Sequence, residues 1–237
     1  MPFPRLGGRQ LRLLVVASLV VLVLGSCGVS GGGDAAEPPS LTALARLLPA
    51  ATDVGHGYRR SSPDPTDEGK GKDAADTAVA KACPEAEALD NTDDDAENRS
   101  ATFRAADSKT IAVTVMAARD LGFARDEVDE IVDALNACKT IRYRDDDGQR
   151  VSAELSAERN DRYGSFGIGV RYQVAFGSDR PLTLTYDIVV FVHGPVGATV
   201  TTTSGIDDRR FTSVPGDPEL IDPLATELDR RIGALVD

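Results

Sequence analysis

Acid–base or nucleophilic catalysis needs a nucleophile within reach of a positioned base. In this chain the candidate bases at neutral pH are two histidines, His56 and His193. No G-x-S-x-G elbow accompanies them, since in YGSFG the first position is Tyr163. There is no Walker loop, and GIGVRY lacks the third glycine of a dinucleotide fingerprint and lies within a strand pattern. His56 in DVGHGY reads as a turn residue, and His193 after IVVFV as a strand-end residue. YRDDDGQRVSAE fits a calcium loop only in part. With Gly148 as the sixth position, Asp145, Asp147 and Glu154 fall at three, five and twelve, but Tyr143 at one offers no carboxylate. Its flanks alternate as strands where helices are needed, so a hairpin turn explains the acids better. The run NTDDDAEN at 91–98 reads as a solvated acidic loop. The expectation is a protein that is not an enzyme, with no catalytic residue, metal or cofactor.

The remaining reactive groups are thiols. Arg5, Arg9 and Arg12 precede an apolar stretch at 13–24, and small Gly25 and Ser26 follow. The order Leu24-Gly25-Ser26-Cys27 resembles the lipobox of bacterial lipoproteins. The resemblance implies that residues 1–26 are a signal peptide and that the Cys27 thiol takes a diacylglyceryl group, with acylation of the new amino terminus also open. An uncleaved anchor is the weaker alternative, because the apolar stretch is short against the roughly 20 residues of a span. Two or three acyl chains, at about 0.8 kcal/mol per buried methylene, anchor stably where one does not. The expected location is the extracytoplasmic face of the cell membrane, held by lipid at Cys27.

Loss of residues 1–26 removes three arginines and no acid, moving the formal charge from −12 to −15. Such acidity argues against a nucleic-acid partner and against a polybasic grip on the membrane, since both need clustered Lys and Arg. With Cys27 given to lipid, Cys83 and Cys138 are left, and an exported compartment permits a disulfide between them. Two free buried thiols or a metal pair is the weaker alternative, because no other Cys or His lies near either one.

Residues 27–39 carry the lipidated cysteine and a Gly, Ala and Pro-rich spacer, and residues 40–237 read as a single sensor-like domain. SLTALARLLPA offers a Ser cap with Leu41, Leu44, Leu47 and Leu48 at helical spacing, ended by Pro49. Residues 59–76 are polar and rich in turn formers, and predict a mobile loop. Structure resumes at TAVAKACPEAEAL, and TIAVTVMAA then alternates as a strand. RDEVDEIVDALNAC sets Val128, Ile131, Val132, Leu135 and Cys138 on one helical face. Strands then follow through TIRYR, VSAEL, FGIGVRYQVAF, LTLTYDIVVFVH and TVTTTSG. A closing helix carries Leu224, Leu228, Ile232 and Leu235, with Asp217 or Asp222 as its cap. The predicted fold class is α+β, an antiparallel meander of about five or six strands packed with amphipathic helices.

The order of landmarks, from lipobox through LLPAATDVGHGY, GYRR, a first cysteine, a helix ending in a second cysteine, a late hairpin and a closing helix, resembles one family. It is similar to the sensor-domain lipoproteins of mycobacteria and related actinomycetes, which are themselves similar to the extracellular domain of a mycobacterial receptor Ser/Thr kinase. The resemblance covers Leu41 to Asp237 and implies an exported α+β domain that binds a ligand or partner. One expected disulfide stands where the kinase ectodomain has two, and neither a kinase nor a second anchor is read in the chain. The leading functional expectation is a tethered module that binds an unknown small-molecule, lipid or protein ligand. A carrier or chaperone of hydrophobic envelope molecules is the alternative, and an envelope hydrolase comes third.

Overall fold

The computed structural model describes residues 38–61, 81, 83, 97–117, 125–138, 140–144, 148–177, 181–207, 210 and 212–236. Residues 1–37, with Cys27 and the spacer up to residue 37, lie outside this set, as do the 62–76 part of the predicted loop and most of TAVAKACPEAEAL. None of the described helices is long and apolar enough to cross a membrane.

The chain enters through α1 (Leu41–Leu47), where Ser40 Oγ accepts from the Ala43 amide at 3.4 Å, and continues into the single turn α2 (Ala51–Val54). Three strands follow, β1 (Arg59–Ser61), β2 (Glu97–Arg104) and β3 (Thr110–Ala117). After helix α3 (Arg125–Ala137) come β4 (Thr140–Arg144), β5 (Arg150–Arg159), β6 (Phe166–Phe176), β7 (Leu182–His193) and β8 (Val196–Thr203). A small ribbon of β9 (Gly205–Asp207) and β10 (Thr212–Val214) leads through a 3₁₀ turn at Pro218–Leu220 into α4 (Ile221–Val236).

The main sheet has eight strands in the order β1-β2-β3-β8-β7-β6-β5-β4, every neighbouring pair antiparallel. The expected five or six strands are thus corrected to eight. β4 to β8 form the meander that the alternation predicts. β1 and β2 add the difference, because ENRSATFR buries only Ala101 and Phe103 and so carries little periodic signal. The predicted mobile loop is corrected at its start, where residues 59–61 pair with β2 in register Arg59 to Arg104.

Helices cover opposite faces of the sheet at opposite ends. On the first face α3 lays Val128, Ile131 and Leu135 over the β5–β6 end, where they meet Leu155, Val170, Tyr172, Tyr186 and Ile188. On the second face α1 and α4 lay Leu44, Leu47, Leu224, Leu228 and Ile232 over β2, β3, β8 and β7, against Phe103, Ile111, Val113, Phe191 and Val200. Side chains alternate across a strand, so β7 supplies both cores: Ile188, Val190 and Val192 to the first, Val189 and Phe191 to the second. Each such side chain fully removed from water contributes about 1.5–3 kcal/mol.

The closing helix differs from its sequence pattern at both ends. Neither Asp217 nor Asp222 caps it: a 3₁₀ turn precedes it, with the Leu220 amide donating to the Asp217 carbonyl. Leu235 is exposed, because Val236 takes the inward position in the last turn and packs against the second core.

Candidate functional site

His193 ends β7 opposite Val196 in a tight hairpin whose Gly194 has φ of 57°. Its Nδ1 lies 3.1 Å from Asp229 Oδ1 on α4, and that oxygen also accepts the Gly164 amide at 2.9 Å. A carboxylate accepts only, so it places the neutral imidazole's proton on Nδ1 and leaves the Nε2 lone pair free. Both side chains are about seven-tenths buried, with relative exposures of 30% and 27%. Position 164 requires glycine twice over, for its φ of 61° and because a Cβ would run into the Val192 carbonyl.

The same β5–β6 loop grips α4 a second time. Tyr163 packs on Phe191 with ring centroids 5.5 Å apart, and its hydroxyl donates to Asp222 Oδ1. Arg162 Nη1 reaches that oxygen at 3.2 Å. Burial, then the facing carboxylate, pushes the Tyr163 phenol up to about 12. The Tyr163 hydrogen bond and then Arg162 hold Asp222 below the usual carboxylate value.

An oriented imidazole is half of a nucleophilic pair. Among the described residues no hydrogen bond joins His193 to a Ser, Thr or Cys side chain. Ser165, the serine of YGSFG, is exposed and donates its amide to the Val192 carbonyl. The site therefore orients an imidazole that has no hydroxyl or thiol hydrogen-bonded to it among the described residues.

Further along α4 a cavity of about 170 Å³ opens between α1, α2, β3 and α4, with Leu47, Pro49, Val113, Leu224 and Leu228 in its wall. Its rim is a clamp centred on Arg231, which donates to Glu227 Oε1 at 2.8 Å, to Asp53 Oδ2 at 3.1 Å and to the Leu47 and Leu48 carbonyls. Hydrogen bonds from Arg230 and then Arg231 hold the Glu227 carboxyl down at about 2. The volume is below the roughly 300–1,000 Å³ of pockets that enclose drug-sized ligands.

A third polar cluster joins the β2–β3 turn to the entry of α4. Tyr58 donates to Asp217 Oδ2 at 2.7 Å, and Lys109 Nζ lies 3.0 Å from Asp217 Oδ1 and 3.3 Å from Asp107. Burial alone would raise the Asp217 carboxyl, but the Tyr58 and Lys109 hydrogen bonds outweigh it and hold the group below its ordinary value.

Of the residues the sequence singles out, Cys83 and Cys138 are brought together as a disulfide, with Cα atoms 5.4 Å apart and both residues in the core under α3. His56 is exposed in the turn between α2 and β1. Tyr143 and Glu154 lie on β4 and β5, which confirms strand flanks around the acidic turn. Asp145, Asp147, and residues 91–96 of the acidic run, are outside the described set. No group of three or more potential metal ligands exists among the described residues. Nothing in the sequence marks Asp229 as the partner of His193, 36 positions away, and Asp217 and Asp222, read in the sequence only as helix caps, bond residues 59 or more positions away. The Glu227–Arg230 and Glu227–Arg231 spacings are those of helical pairs.

Compared with known proteins, the chain matches no protein-family model and has no significant match among curated proteins.

Proposed function

We propose that this chain is a lipid-tethered extracytoplasmic module that binds a ligand or partner without turning it over. The observation that carries the reading is the Cys83–Cys138 disulfide. Such bonds belong to oxidising compartments, the same destination to which the lipobox-like Leu24-Gly25-Ser26-Cys27 points. The His193–Asp229 pair favours binding over catalysis, because its free nitrogen faces no nucleophile among the described residues. The cavity beside Arg231 suits one branched side chain or a comparably small apolar group, which favours a protein or small-molecule ligand over an acyl chain.

Two measurements test the reading together. In the native host, an alkyne fatty-acid label should enter the parent chain and fail to enter Cys27→Ala; equal labelling of both sinks the lipid tether. A screen of ester, peptide and glycoside substrates should give no turnover above blank. Turnover that falls by 10²-fold or more in His193→Ala, the usual worth of a general base, makes the protein a hydrolase instead.

A further inference from the structure

Helix α1 stops at Leu47 because Leu48, the residue before Pro49, takes the extended conformation that proline imposes, and α2 begins only at Ala51. The interruption leaves the Leu47 and Leu48 carbonyls to Arg231 and opens the cavity of about 170 Å³ over Val113 of β3. On the other side α4 supplies two rows at helical spacing: buried Leu224 and Leu228 inside, and Pro223, Glu227 and Arg231 at the mouth. The interior is therefore apolar. An apolar cavity of about 150 Å³ accepts a guest the size of benzene, so a branched chain of about four carbons suits this one.

The charged groups at the mouth are unequally engaged. Arg231 donates to Glu227, to Asp53 and to both α1 carbonyls, so each of its three nitrogens already serves a protein acceptor. Both oxygens of Glu227 accept from Arg230, and one also from Arg231. Asp53 differs between its two oxygens. Oδ2 accepts the Ala50 amide at 2.9 Å and Arg231 at 3.1 Å, while Oδ1 has only the Thr52 hydroxyl at 3.5 Å, the outer limit of a hydrogen bond. The Ala50 amide, and then Arg231, hold the Asp53 carboxyl below its ordinary value, so it is ionised at neutral pH. A carboxylate offers about four acceptor sites, and the ones left open at this mouth are on Oδ1.

We propose that this cavity binds a branched aliphatic group bearing a primary ammonium, with the alkyl chain against Val113, Leu224 and Leu228 and the ammonium on Asp53 Oδ1. The proposal rests on the reading of the chain as a binding module and names the ligand class for it. Two sources offer this chemistry, the amino-terminal Leu, Ile or Val of a polypeptide and a free alkylamine of the same shape. A free amino acid is disfavoured, because its carboxylate would face Asp53 and Glu227 while the nitrogens of Arg231 are engaged.

The experiment is a ligand titration of the folded full chain, followed by the methyl NMR signals of Val113, Leu224 and Leu228. Leucinamide and 3-methylbutylamine should shift these signals saturably. N-acetyl-leucinamide, 3-methyl-1-butanol and free leucine should bind at least about tenfold more weakly, since each loses the charged hydrogen bond or adds a repelled carboxylate. Glycinamide, with the ammonium and no side chain, should leave the methyl signals unmoved. The amide of a Leu-Ala-Ala tripeptide separates the two sources. If it binds as tightly as leucinamide, the site takes polypeptide amino termini; if only the smaller amines bind, it takes free amines.

In Asp53→Asn the affinity for leucinamide should fall to that of N-acetyl-leucinamide, with the latter unchanged. The ligand series on the parent decides the site even where this variant unfolds. Absence of a saturable shift with both leucinamide and 3-methylbutylamine, or equal affinity for leucinamide and its acetylated form, overturns the proposal and leaves the lipid tether and the lack of turnover standing. Conversely, turnover that is lost in His193→Ala refutes the non-catalytic reading while the methyl shifts persist, because His193 is not part of the cavity wall.

Discussion

The His193 ring lies over the backbone of Gly233 so closely that a Cβ added there would stand 3.1 Å from Cε1. In a helix interior Ala is normally favoured over Gly by about 1 kcal/mol. Gly233→Ala should therefore gain little or lose stability in the parent, and regain close to the full helical benefit in the His193→Ala background. Urea denaturation of the four proteins in the double-mutant cycle measures the coupling. Simple additivity would mean that the ring does not occupy this seat.

Asp229 should matter more to stability than His193 does, because it accepts from the Gly164 amide as well as from the imidazole. Loss of an ionised acceptor shared by two donors costs about 1–3 kcal/mol. Asp229→Ala should fall in that range by chemical denaturation, with Asp229→Asn milder because its carbonyl still accepts the amide. The ¹⁵N shifts of His193 should also move from the Nδ1–H tautomer toward a mixture in both variants. A stability change no larger than that of His193→Ala would show that the Gly164 contact is not formed.

Acid stability should depend on Asp217. Its folded pKa lies below the ordinary carboxylate value of about 3.9, so its contribution is complete above that value and disappears as pH falls through the folded value. Asp217→Asn should cost about 1–3 kcal/mol at pH 7, from weakened bonds to Tyr58 and Lys109, and flatten the fall in stability below about pH 4. Denaturation midpoints across pH 2–7 check both parts. Parallel curves for parent and variant would refute the assignment.

Breaking the disulfide should be the largest single loss. Closing a 55-residue loop is worth about 4 kcal/mol on the chain-entropy account. Cys138→Ser, or reductant on the parent, should lower the unfolding midpoint accordingly, and peptide maps without reductant should recover the Cys83–Cys138 pair. A midpoint indifferent to reductant would mean that the bond does not form in solution.

The elements that sequence reasoning recovered are those whose periodicity matches their burial. The α3 face from Val128 to Cys138 and the alternating strands β5 to β7 are read correctly because each buries one regular face. β1 and β2 escaped because an edge strand owes its position to backbone pairing, and RRS and the first half of ENRSATFR bury nothing. At the site, His193 was visible as a residue type, while its partner was one aspartate among many acids. Only the docking of α4 selects Asp229 from its neighbours.

Because β7 is the wall common to the two cores, the domain has an unequal hierarchy of local opening. The disulfide lies wholly in the core beneath α3, so its reduction loosens that core first and leaves the α1–α4 core standing. Amide exchange should then quicken in α3, β4 and β5 ahead of β2 and β3. The amides of β7 from Val189 to Val192, protected from both sides, should exchange only when the whole molecule unfolds.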